Sequence, residues 1–458
     1  MGLGQGVSLV VGIVIGSGIF LTPNGIDQKI GAFGFGAILM VWVVGGLLSL
    51  AGALTYAELG AMLPTTGGQY VFIREAFGKL CAFLFGWMEF WVARAGSIAA
   101  LAVAFSLHAV LIYRGMGAQA ATQLPALEAD PLVPWVAIGC VLLLAAINVL
   151  GVRYGAWVQV AFTVLKVSAL LAVIGMAIYR GGQLTGSLTP FFRPGKTNLL
   201  AAFGAAMVAS LWSYDGWTNG AAVSEEMKNP QRNVPRSLML GTLIIVAVYV
   251  AVNWAYHSLL TIEQVQGSSA VAATAALRAV GAWGGLAVAF GALASIFGAA
   301  NGTILTGPRI FYAMAKDRVF FPGLAKVHAR FSTPYRAVLA QCGWAILLIG
   351  SAAIGRPYTQ EPIFDTLFTY VIFSSWVFYG MGVAAVFVLR RTRPDADRPY
   401  RTWGYPWTPA AFVLVAGAFV LNTLLTQPIQ SLVGLGIIAL GLPAYWLWSR
   451  RADARPAS

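Results

Sequence analysis

The chain has 458 residues, of which 59% are hydrophobic and only 10% charged, with a formal net charge of +13. Soluble domains carry about a quarter charged residues, so this composition cannot cover a water-facing surface. It excludes a soluble fold, and the basic excess is read as membrane orientation rather than as a nucleic-acid partner.

Twelve apolar segments follow in chain order, near 3–28, 32–62, 80–112, 132–150, 154–179, 198–224, 236–260, 282–314, 336–354, 363–389, 407–426 and 430–448. They match the ~20 residues that cross a bilayer core of roughly 30 Å. Ten-residue alternating strands, the mark of a membrane β-barrel, are missing. The expected fold class is therefore an all-α integral membrane protein with twelve transmembrane helices. The first segment has no basic leader and runs on to Pro23, so it reads as a span and not as a signal peptide. The chain starts almost inside this segment, and any polar tail before it is expected to be missing or trimmed. Cys81, Cys140 and Cys342 all fall in apolar segments without metal-site spacing and read as small hydrophobes.

Of the 29 Lys and Arg, placing both termini inside puts 20 in inner loops and 7 in outer loops, with Arg94 and Lys166 left within spans. That bias sets the orientation: a multi-pass protein of the inner (plasma) membrane with both termini cytoplasmic.

Two segments are interrupted. The first reads GIVIGSGIF over 12–20, with Gly16-Ser17-Gly18 in mid-span. The sixth reads AAMVASLWSYDGWTNGAAVSEE, broken at Asp215-Gly216. A glycine costs about 1 kcal/mol against alanine in a helix interior, and a mid-span charge is disfavoured. These are segments one and six. If the first ten form two five-helix halves, each break falls on the first helix of a half. Because five is odd, the halves enter the membrane from opposite sides. Interrupted helices at matching places in inverted halves point to a transporter's binding site. The expected division is 1–180, 181–392 and a terminal pair of helices over 393–458.

A broken helix offers free amides where its second half begins and free carbonyls where its first half ends. Gly16, Ser17 and Gly18 are expected to expose amides to a carboxylate. The carbonyls of Val14 and Ile15 would accept from an ammonium. In the sixth segment the acceptors lie around Trp212, Ser213 and Asp215, with Gly216 supplying the turn. Donors for a carboxylate and acceptors for an ammonium near the midplane fit a free α-amino acid. Asp215 has two open roles, as a cap on the unwound turn or as a contact to the substrate amine. Ser375 and Trp376, in FSSWVFY, either line the pocket or pack.

The motifs IGSGIF (15–20), YAELGAMLPTTGGQY (56–70), WMEFWVARAGS (87–97), LWSYDGW (211–217), SEEMKNPQRNVPRS (224–237) and NGTILTGPRIFYAMAKD (301–317) span most of the chain. In these motifs the chain resembles the amino acid–polyamine–organocation (APC) superfamily, and within it the L-type amino acid transporter light chains and their bacterial homologues. The resemblance implies the five-plus-five inverted repeat of the bacterial leucine transporter, with discontinuous helices 1 and 6. It implies a secondary transporter of L-amino acids working by alternating access, and no enzyme. The amides of Ser17 and Gly18 would hold the carboxylate, the carbonyls of Val14, Trp212 and Asp215 the amine, and the Trp212 ring would cover the substrate. Lys166 matches a fifth-helix lysine of the sodium-independent branch, where an ammonium would bond the unwound carbonyls and repel Na⁺. Exchange of neutral amino acids is expected. Proton-coupled uptake, uptake of cationic amino acids or polyamines, and a non-transporting amino acid sensor stay open beside it.

Glu89 and Arg94 lie five apart, outside the i, i+3 and i, i+4 spacings of an α-helix, so each is expected to pair with another helix, for structure or for proton coupling. Glu225 and Glu226 at the inner end of segment six would either meet Arg or Lys from cytoplasmic loops as an inner gate or be solvated. The basic stretch 309–331 would touch anionic lipid or merely mark orientation. The light chains carry a cysteine between segments three and four for a bridge to a heavy subunit; 113–131 has none, so no disulfide-linked partner is expected, and the chain is expected to act as a monomer. No cofactor and no metal site is expected.

Overall fold

The computed structural model describes residues 1–114, 127, 130–180, 188–195, 198–268, 270–355, 363–426 and 428–453. The described residues are mostly helical, with no strand among them. The stretch 113–131, where a bridging cysteine was sought, lies mostly outside them.

Helix α1 covers Leu3–Val14, α2 Gly18–Leu21 and α3 Pro23–Ile30. Then come α4 (Phe35–Met62), α5 (Gln69–Phe77) and α6 (Lys79–Met88), with a π-helical stretch Glu89–Arg94 leading into α7 (Ala95–Tyr113). After these are α8 (Leu132–Val149), α9 (Val152–Tyr179) and α10 (Leu199–Ser213), with a 3₁₀ stretch at Trp217–Glu226. The second half continues with α11 (Pro230–Leu259), α12 (Ile262–Gln266), α13 (Val271–Val280) and α14 (Ala282–Lys316). The chain ends with α15 (Tyr335–Gly355), α16 (Ile363–Thr392), α17 (Trp407–Thr426) and α18 (Pro428–Asp453).

Among the described residues 11 helices are long and apolar enough to cross a membrane, with Leu3–Leu21 and Lys79–Tyr113 each taken as one. The sixth sequence segment is not one of them. Its regular part, α10, stops after 15 residues, about 22 Å at helical rise, short of the bilayer core. Asn198 starts that helix by accepting from the amides of Leu200 and Ala201.

The long helices are predominantly apolar, and buried polar residues such as Gln159, Thr163 and Lys166 on α9 and Asn301 and Arg309 on α14 face other helices. Their outer faces carry exposed large side chains such as Leu142, Trp157, Val164 and Leu421, which suit hydrocarbon rather than water. The interior instead collects the interrupted elements. The α1 helix packs on α9, α11, α14 and the 3₁₀ stretch, so the first break is enclosed by protein. Irregular backbone survives at membrane depth under that condition.

Candidate binding site

The first helix breaks where the sequence predicted. Regular structure stops at Val14 and resumes at Gly18, leaving Ile15–Ser17 unwound. The Gly16 amide turns back to the Val14 carbonyl at 2.7 Å. The amides of Ser17 and Gly18 donate to no partner among the described residues, and the buried Ser17 hydroxyl also has none.

The second break follows α10. The Asp215 amide bonds the Trp212 carbonyl at 2.9 Å, and Gly216 takes φ +110°. A Cβ there would stand 2.7 Å from Ile13 Cγ2, so glycine is needed both for the conformation and for the approach of α1. The two breaks touch at another glycine. A Cβ on Gly18 would lie 3.0 Å from Ser213 Cα. Ser213 Oγ and Thr22 Oγ1 are 2.7 Å apart. Tyr249 ties the pair from α11, its hydroxyl 3.0 Å from the carbonyl oxygens of both Val14 and Ser213.

Both breaks open onto one cavity of about 100 Å³. Val14, Gly16, Ser17, Gly18, Trp212, Ser213, Asp215, Gly216 and Ser375 line it, as do Glu89 and Arg94. Ile15, Lys166 and Glu226 do not. Trp376 turns away and stacks on Phe412, with centroids 5.7 Å apart.

Ile15 requires a correction. Its carbonyl was expected to hold the substrate amine, yet it already accepts from Lys166 Nζ at 2.6 Å and from Ser295 Oγ at 2.9 Å. Lys166 is fully buried and donates also to the carbonyls of Gly12 (2.7 Å) and Ser295 (2.8 Å). Three acceptors take the three hydrogens of an ammonium. Val14 is similar: its carbonyl serves the Gly16 amide and the Tyr249 hydroxyl. The break thus satisfies its carbonyls, and the Gly16 amide, expected to face a carboxylate, is taken up by Val14 as well; the amides of Ser17 and Gly18 are what it leaves over.

Glu89 and Arg94 also require one. They were expected to pair with other helices. Instead Arg94 Nε donates to Glu89, and the two form a buried ion pair within one helix. The backbone between them is π-helical. Its i→i+5 period brings residues five apart onto one face, which the α-helical period does not.

Asp215 accepts from the Tyr379 hydroxyl at 2.6 Å. Tyr379, Asn219, Ser97 and Thr303 complete the polar lining and were not singled out from the sequence. Tyr379 had a signal: it stands four residues after Ser375, on the same helix face. Asn219 donates to the Gly216 carbonyl at 3.0 Å, and its Oδ1 is buried without a partner among the described residues.

Glu226 lies away from the cavity. Its carboxylate meets Arg309 at 3.0 Å. Arg309 comes from inside α14 and is buried, so the partner is a helix residue and not a loop residue. Glu225 accepts from the Thr66 amide at 3.3 Å and from its hydroxyl.

The comparisons with known proteins agree with this architecture. A serine/threonine exchanger of Bacillus subtilis is 34% identical over 98% of this chain and 97% of its own. The mouse b(0,+)-type amino acid transporter 1 is 30% identical over 98% of this chain and 87% of its own. The human cystine/glutamate transporter is 31% identical over 97% and 84%. The family model described as amino acid permease matches residues 2–441. The chain belongs to the amino acid permease family: it is a transporter, and not an enzyme.

Proposed function

We propose that this chain exchanges small neutral L-amino acids across the plasma membrane by alternating access, without sodium. One observation carries the reading. A single cavity is lined by the amides of Ser17 and Gly18, unbonded among the described residues, and by oxygens that can still accept, the Asp215 carboxylate and Asn219 Oδ1. Donors for a carboxylate and acceptors for an ammonium in one small space describe a zwitterion. Helix dipole and amides favour the carboxylate at Ser17 and Gly18. With the Val14 and Ile15 carbonyls engaged, the amine goes to Asp215 and Asn219. Ser97, Thr303 and Ser375 add hydroxyls to the lining, which suits a serine- or threonine-sized substrate, as in the exchanger of Bacillus subtilis.

Lys166 supports sodium independence. Its ammonium, fixed by carbonyls of α1 and α14, provides the positive charge there, and a second cation would be repelled. Asp215 is what favours a second reading, uptake of cationic amino acids or polyamines. We further propose two inverted halves, 1–180 and 181–392, followed by 393–458, with both termini cytoplasmic. In this arrangement Trp212 covers the substrate from outside, and the Arg309–Glu226 pair closes the inner side.

The test is counterflow in proteoliposomes. Vesicles preloaded with unlabelled serine should accumulate labelled serine, equally in sodium and in choline buffer. Accumulation of labelled arginine or putrescine in place of serine would select the second reading. No accumulation of any amino acid would defeat both.

A further inference from the structure

A second crevice lies at the end of the bundle that carries the Lys/Arg excess. It measures about 1120 Å³ and opens between the start of α1, the start of α9 and the segment around Arg330. Three exposed cations line it: Arg153, Lys228 and Arg330. None of their side chains makes an ion pair or a hydrogen bond among the described residues. The one carboxylate on the rim, Glu226, is engaged by buried Arg309. Beside the cations lies an apolar wall from α9. Tyr154 and Trp157 are 62% and 58% exposed and Val160 is half-buried. That wall continues into the outward face of α9 at Val164 and Leu165, whose exposed side chains suit hydrocarbon.

Unpaired cations beside an apolar groove at headgroup depth match one chemistry, a phosphate attached to acyl chains. The exposed Trp and Tyr mark the interface where such a headgroup sits. We propose that this crevice binds one anionic phospholipid, its phosphate held by Arg153, Lys228 and Arg330 and an acyl chain laid along Tyr154, Trp157 and Val160. A free phosphate would use the cations but leave the groove empty, so the lipid is the occupant. The crevice is also lined by Met1, Gly2 and the first turns of α1 as far as Ser8, and the Ser8 carbonyl accepts from Thr163 of α9 at 2.9 Å. The lipid therefore bridges α9 and the inner half of the helix that breaks at the substrate cavity.

Native mass spectrometry of the full chain, titrated with phosphatidylglycerol or with phosphatidylcholine of the same acyl chains, tests the proposal. One phosphatidylglycerol should be retained per chain under conditions that strip phosphatidylcholine. Each neutralised charge should weaken it roughly fivefold, so Arg153→Gln/Arg330→Gln should lose about 25-fold. Arg391→Gln, at an exposed arginine outside the crevice, should bind as the unsubstituted protein does. If the double variant fails to fold, Lys228→Gln alone should still show the fivefold loss. Equal retention of the two lipids, equal losses at Arg391, or glycerol phosphate binding as tightly as the lipid would each overturn it.

Discussion

Lys166 Nζ stands 2.6 Å from the carbonyl oxygen of Ile15, across 151 positions of sequence, and no water can enter between them. The contact exists because α1 breaks. The Gly16 amide bonds Val14, which leaves the Gly12 carbonyl without its helical donor, and the ammonium replaces it. Lys166→Met should orphan the Gly12 carbonyl, while Ile15 keeps Ser295. An orphaned buried carbonyl costs about 1–3 kcal/mol, offset in part by no longer burying a charge. We expect a net loss of about 2 kcal/mol and at least a tenfold fall in exchange, read by thermal unfolding and by counterflow. Unchanged values of both would remove Lys166 from the site.

Sodium dependence is the sharpest companion measurement. The unsubstituted protein should give the same initial rate in sodium, potassium and choline. A rate that saturates with sodium would mean that the ammonium does not stand in for a cation.

Gly18→Ala should reduce exchange tenfold or more. The added Cβ would meet Ser213 at Cα, Cβ and Oγ, at 3.0–3.2 Å, so one broken helix must retreat from the other. The larger Gly18→Val would press on backbone and cannot leave the fold untouched. Ser213→Gly removes two of those three atoms, and the double variant should recover part of the rate. Full activity of Gly18→Ala alone would show that the breaks need not touch.

Tyr379→Phe removes the only hydroxyl that donates to Asp215 Oδ1 among the described residues. If Asp215 holds the substrate amine, its orientation should loosen, and KM for serine should rise about tenfold with little change in the thermal midpoint. A KM that stays put while stability drops would assign Asp215 to holding the unwound turn.

Both helix breaks were legible because glycine and aspartate are conspicuous inside apolar runs. Lys166 was legible for the same reason. What the sequence hid was register and partnership. An α-helical period separates Glu89 from Arg94, and nothing local announces that the backbone widens to a π-helix there. The donors that occupy the Val14 and Ile15 carbonyls come from α9, α11 and α14. Unwound carbonyls therefore looked available when they were already bonded. Tyr379 meets Asp215 across 164 residues, a distance over which spacing carries no information.

A sodium ion bound beside substrate can dissociate on the far side, and that departure is how a carrier draws work from an ion gradient. The ammonium of Lys166 is joined to the chain and can never be released. A carrier built around it has no sodium battery. The direction in which it runs would be decided by which amino acid is scarcer on which side, and it would sort two pools against each other rather than fill one.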